Sequence, residues 1–183
     1  PEAMYGIVNS AIEGFVCQKL GEDVWTRIRT RAGVDGAGFV SMERYDDAVT
    51  YGLVAAASAE LGMDHAEILE AFGEYWPVYT IEEGYGDLLQ MMGSTIDEFL
   101  DNLDSMHARI GGTMPGLVPP SFRREQQDDG SHLLFYSSSR EGLAPMVVGL
   151  LKGLAQRFEI QLEIEHLGPD ETGSDRFLLR EIG

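Results

Sequence analysis

The sequence predicts an α+β fold: a helical N-terminal lobe packed on a four-stranded antiparallel sheet with an intervening helix. Three observations predict it. Through the first two-thirds, apolar residues recur every three or four positions, the period of one helical face. After Pro119-Pro120 the period falls to two, most clearly where Ile160, Leu162, Ile164 and His166 alternate with polar residues. Between strand-like segments lies an apolar run of helical length, Gly142 to Phe158.

Val8, Ala11, Ile12, Phe15 and Val16 form the face of the first helix, which Gly21 ends. Glu22 to Ala32 gives a second, short helix carrying Trp25 and Ile28, and Gly33 to Gly38 a loop. Val49, Leu53, Ala57 and Leu61 mark a third, closed by Gly62. Asp64 and Glu67 have the spacing of a capping box for a helix from His65 to Trp76, which Pro77 is expected to interrupt. A short helix is expected over Tyr85 to Met92. Ser94 is the expected N-cap of the next, with Asp97 and Glu98 in its first turn. Ile96, Phe99, Leu100, Leu103, His107 and Ile110 form its single apolar stripe, so His107 points inward with the leucines until Gly111-Gly112 stop the helix.

Ser121 to Gln127 and His132 to Ser139 read as a hairpin about Asp128-Asp129-Gly130. The helix from Gly142 tolerates Pro145 only in its first turn. Arg176 to Ile182 closes the sheet after a loop from Gly168 to Gly173. With no repeat or low-complexity tract, residues 4–183 read as one domain.

The chain has 31 acidic and 13 basic residues, a net charge of −18 that repels phosphate backbones and anionic lipid. Nucleic acid and membrane are therefore not expected as partners. One cysteine, Cys17, allows no intrachain disulfide, and no apolar run is long enough to span a bilayer, which suits a cytoplasmic protein.

There is no phosphate-cradling Gly-Lys-Ser/Thr loop, no dinucleotide glycine fingerprint, no His-Glu-x-x-His and no nucleophile elbow. Enzyme-like signals are weak throughout. His107 has two readings: a core histidine satisfied by one hydrogen bond, or a neutral imidazole offered to a metal from a rigid helix. Tyr136, Ser138 and Arg140, at i, i+2 and i+4, would share one face of a strand. They read as a solvated polar face or as two hydroxyls and a guanidinium fork for a dianion.

Together these residues resemble the haem nitric oxide/oxygen binding, or H-NOX, family. The likeness is carried in order by Met4-Tyr5-Gly6-Ile7-Val8-Asn9, Phe72-Gly73-Glu74-Tyr75-Trp76, His107, Pro119-Pro120-Ser121-Phe122, Tyr136-x-Ser138-x-Arg140 and Gly142-Leu143-Ala144-Pro145-Met146. The resemblance implies a haem-based gas sensor rather than an enzyme, with haem b (iron protoporphyrin IX) between the lobes. It implies His107 as the iron ligand, Tyr136, Ser138 and Arg140 on the propionates, and Pro120 pressing the porphyrin out of plane. Family members that bind O₂ carry a tyrosine at the start of the helix after Tyr-x-Ser-x-Arg. Counting five beyond Arg140 gives Pro145, then Met146, and neither donates a hydrogen bond. That implies a site for NO and CO but not O₂, lined by Trp76, Met146 and residues of the first helix such as Val8. The implied partner is a signalling protein such as a histidine kinase or a cyclic-dinucleotide enzyme. The alternative is a haem-free small-molecule-binding or protein-interaction module using the same cavity. A haem peroxidase would want a polar acid–base pair beside the metal, and none is placed for it.

Overall fold

The computed structural model describes residues 2–183. The chain opens with a short strand, β1 (Ala3–Tyr5), then α1 (Gly6–Leu20) and α2 (Glu22–Arg31). β2 (Arg44–Asp46) pairs antiparallel with β1, and α3 (Asp47–Leu61) and α4 (His65–Thr80) follow. This two-stranded ribbon has three residues a side, too few to show an alternation in sequence.

The capping box at Asp64 and Glu67 is present, with both side chain-to-backbone bonds made. Pro77 does not interrupt the helix as expected: α4 runs through it to Thr80. Pro77 is buried, and burial of this segment outweighs the lost backbone bond; the Thr80 hydroxyl donates back to the carbonyls of Trp76 and Pro77, both at 3.0 Å. A kinked segment (Ile81–Tyr85), with Gly84 at φ +97°, then leads into α5 (Gly86–Gln90), shorter than the helix expected over Tyr85 to Met92.

α6 (Ile96–Gly111) begins one residue later than expected. Thr95, not Ser94, is its N-cap, accepting from the Glu98 amide at 3.2 Å, while the Glu98 carboxylate holds the Ser94 amide at 2.7 Å. β3 (Ser121–Gln126) and β4 (His132–Ser137) form the hairpin, α7 (Ala144–Arg157) crosses over, and β5 (Leu162–Pro169) and β6 (Asp175–Glu181) complete an antiparallel sheet of order β3-β4-β6-β5. The helical lobe, the four-stranded sheet and the helix between β4 and β5 are those the sequence predicts.

The core has two parts. One gathers Ala11, Ile12 and Val16 of α1 with Leu53 and Ala57 of α3 and Phe72 and Tyr75 of α4. The other sets Phe99, Leu100 and Leu103 of α6 beside Leu134 of β4, Leu151 and Leu154 of α7 and Phe177 of β6. α4 and α7 join them by a close crossing. A Cβ on Gly149 would strike the Glu70 carbonyl, and one on Gly73 the Met146 carbonyl. Only glycine lets the two backbones approach this closely, and their approach sets Trp76 and Met146 on neighbouring stretches of one wall.

Candidate functional site

α6 carries His107 at the end of its buried stripe of Ile96, Phe99, Leu100 and Leu103. His107 Nδ1 is buried and has no hydrogen-bond partner, an unusual state for a polar atom. Burial pushes the imidazole below its usual pKa, against the opposing pull of the Asp104 carboxylate and the Pro120 carbonyl. Asp104 also ties the turn before His107 to the sheet, accepting from Ser121 Oγ at 2.8 Å and from the Phe122 amide at 2.9 Å.

The folded chain therefore takes up a proton at His107 less readily than the unfolded chain. The associated stability is complete above the ordinary histidine value of 6.5 and is lost as pH falls below it toward the lower folded value. The ligand-free protein is expected to melt at a lower temperature at about pH 5.5 than at about pH 7.5, and His107→Gln to lessen the difference. Equal differences in both proteins would contradict a buried neutral imidazole.

His107 faces a cavity of about 270 Å³ between the helical lobe and the sheet. Every site residue singled out from sequence lines it: Trp76 from α4, His107 from α6, Pro120 from the connection, Tyr136 from β4, Ser138 and Arg140 beyond β4, and Met146 from α7. Most of the remaining lining is aliphatic or aromatic, including Ile7, Val8, Leu103, Met106 and Ile110. Among the described residues no group of three histidine, cysteine or carboxylate side chains converges to hold a metal.

The Tyr136-Ser138-Arg140 trio meets at the cavity, but not by strand alternation. β4 ends at Ser137 rather than Ser139, so Ser138 and Arg140 lie in a turn. The Ser138 hydroxyl accepts from the Arg140 amide at 3.1 Å, and Gly142 at φ +77° turns the chain into α7. Tyr136 is buried, which raises its phenol pKa, while a hydrogen bond with Ser138 and the nearby Arg140 charge pull it back down.

Arg140 is also more deeply engaged than its sequence position suggests. Its side chain is 9% exposed. Nε donates to Asp47 Oδ2 at 2.8 Å and Nη2 to Asp47 Oδ1 at 3.3 Å; Nη1 reaches the Val118 carbonyl at 2.9 Å and Nη2 the Ala3 carbonyl at 3.2 Å. One guanidinium thus pins β1, the start of α3 and the proline connection around the mouth of the cavity.

On the wall formed by α4 and α7, Met146 lines the cavity and Pro145 does not. Sequence reasoning missed Thr80, Tyr85, Leu88 and Leu89, which also line it. From Trp76 onward the lining positions are 76, 77, 80, 85, 88 and 89. The gap of five between Thr80 and Tyr85 spans a kink at Gly84, which restores the inward face after α4 ends. Gly84 was the available signal, since its left-handed backbone marks where the helix is re-aimed. Two cavity hydroxyls already have acceptors: Tyr5 donates to the Pro115 carbonyl at 2.7 Å and Thr80 to its own helix.

Fold and cavity together define a two-lobed α+β domain with an apolar cavity between its lobes, and solved structures share the fold. An H-NOX protein from S. oneidensis in the Fe(II)NO state superposes with a TM-score of 0.86 at 20% identity, covering 98% of this chain and all of that one. An Fe(II) unliganded H-NOX protein from K. algicida superposes with a TM-score of 0.81 at 22% identity, covering 98% and 97%. At those identities the likeness is one of fold. Sequence supplies the family: the haem-NO-binding model matches residues 5–166, and the chain belongs to that family, the H-NOX domains. Among curated relatives, soluble guanylate cyclase gcy-32 of Caenorhabditis elegans is 34% identical over 165 residues, 88% of this chain. The chain spans about a quarter of that relative's length (24%). Among the described residues no helix is long and apolar enough to cross a membrane.

Proposed function

We propose that residues 4–183 act as one haem-based gas-sensing domain, not itself an enzyme, that holds haem b through His107. The observation that carries this reading is a largely buried imidazole, its Nδ1 without a hydrogen-bond partner, facing an apolar cavity with no companion ligands among the described residues. A metal held there must bring its other ligands with it, as a porphyrin does. The remaining donors fit the same group: Tyr136, Ser138 and Arg140 would take its carboxylates, and Pro120 would press against its face. When bound, haem would supply an iron able to take a diatomic gas.

The residues then decide which gas is kept. O₂ draws negative charge as it binds and needs a donor in a dry pocket; NO and CO do not. Met146 offers none, and the hydroxyls of Tyr5 and Thr80 are committed elsewhere, which leaves Trp76 Nε1 and the Tyr85 hydroxyl among the lining donors. With no side-chain donor at the start of α7, the site is read as one for NO and CO. Ferrous protein opened to air is expected to oxidise without a lasting oxy spectrum, while NO and CO give stable ones. A persistent oxy spectrum would overturn this selectivity and put Trp76 Nε1 or the Tyr85 hydroxyl at the gas. The partner is read as a separate signalling chain, such as a histidine kinase or cyclic-dinucleotide enzyme, or as further domains of the kind the longer relatives contain. Cytoplasmic placement belongs to the same proposal.

A further inference from the structure

Beside its cavity face, α6 carries a second stripe: Asp97, Asp101 and Asp104, at i, i+4 and i+7. Each carboxylate meets a donor from the β3–β4 hairpin. Asp104 takes Ser121 and the Phe122 amide, as described. Asp101 is forked by Arg124, with Nε at 3.0 Å and Nη2 at 2.7 Å. Asp97 lies 3.5 Å from both Arg124 Nη1 and His132 Nε2, and His132 Nδ1 is 2.7 Å from Arg124 Nη1. Arg124 joins Asp97, Asp101 and His132 and is the more enclosed partner, 16% exposed against 42% and 49% for Asp97 and Asp101.

The rungs advance along helix and hairpin together. Asp104 to Asp97 spans about 10 Å of helix axis, while the partners run from the first residue of β3 to Arg124 and to His132 opposite its last. An axial slip of α6 would break every rung at once; movement of α6 and the hairpin as one body would break none.

We infer that Arg124 is a positioning residue that locks α6 to the β3–β4 hairpin, so that a displacement of His107 reaches the sheet instead of being absorbed by sliding of the helix. The inference rests on the proposed haem role of His107. Exposed ion pairs add little to overall stability, so the expected effect is on coupling rather than on folding.

The test is amide hydrogen exchange on the haem-loaded full chain with and without NO, in the native protein, Arg124→Ala, Arg124→Lys and, as a control, Arg180→Ala. Arg180 sits on β6 with only an exposed pairing to Glu163 at 3.8 Å. In the native protein NO is expected to change exchange in residues 96–111 and 121–137 together. In Arg124→Ala the response of 121–137 should fall by about threefold or more while that of 96–111 persists, with Arg124→Lys intermediate and the control native-like. Asp101→Asn leaves the arginine in place and should show the same loss more weakly, which covers an Arg124 variant that does not fold. A hairpin that responds equally in Arg124→Ala, or is silent in the native protein, overturns the inference. An iron–histidine stretching band recorded on the NO-free ferrous samples separates the two readings. Its absence from the native protein sinks the haem role and this inference with it; its presence with an unaffected hairpin sinks this inference alone.

Discussion

His107→Gly is expected to purify without the haem absorption band of the native protein, and free imidazole added during loading is expected to restore it. The cavity is apolar apart from the Tyr136–Arg140 end and a few isolated polar groups, so removing this side chain removes the one inward imidazole. The space it leaves is imidazole-shaped, and a soluble imidazole entering it supplies the same nitrogen without the covalent link to α6. Restored colour with a lost NO-driven structural response would show that the tether, and not only the ligand, is what α6 contributes. A glycine variant that keeps its haem unaided would mean that another residue binds the iron.

Arg140→Ala is expected to be the second large loss, for two separable reasons. In the protein alone it leaves the Asp47 carboxylate and the Val118 and Ala3 carbonyls without their shared donor. For a largely buried ion pair this costs about 3 kcal/mol, readable by urea unfolding of the haem-free protein. In the loaded protein it also removes the cation expected to face a propionate, so haem should pass to a scavenger faster. Arg140→Lys keeps the charge but not the fork and should recover only part of either effect. Asp47→Ala separates the two: it should lower stability while leaving Arg140 free for the carboxylate. Faster haem loss from Asp47→Ala than from Arg140→Ala would mean that Arg140 serves the lobes and not the cofactor.

How much of this was legible in the sequence depended on how local each cause was. The α6 stripe was legible, because six positions at helical spacing leave one orientation for His107. The Asp64–Glu67 cap was legible because both partners lie within one turn. Ser94 and Thr95 are chemically equivalent caps, and only the Glu98 carboxylate, folding back onto the Ser94 amide, selects between them. Pro77 misled because its local cost is set against burial that no window around it contains. The Tyr136-x-Ser138-x-Arg140 trio reached the cavity for the wrong geometric reason: the strand ends first, and a hydroxyl-capped turn brings the arginine round. The partnership of Arg140 with Asp47 joins residues 93 positions apart, and nothing near either one announces it. The role of Gly149 and Gly153 was not legible, because it depends on the opposing Glu70 and Glu74 backbone. The kink after α4 was legible only as the glycine at position 84, because a five-residue gap looks like an absence of period.

The most direct measurement of the central claim is the absorption spectrum of the ferrous native protein, recorded without air, before and after NO. The account predicts an intense band near the violet edge of the visible, characteristic of bound haem, that shifts when NO is added and is missing in His107→Gly. A protein that stays colourless when haem is supplied, or whose band is indifferent both to NO and to the loss of His107, would contradict it.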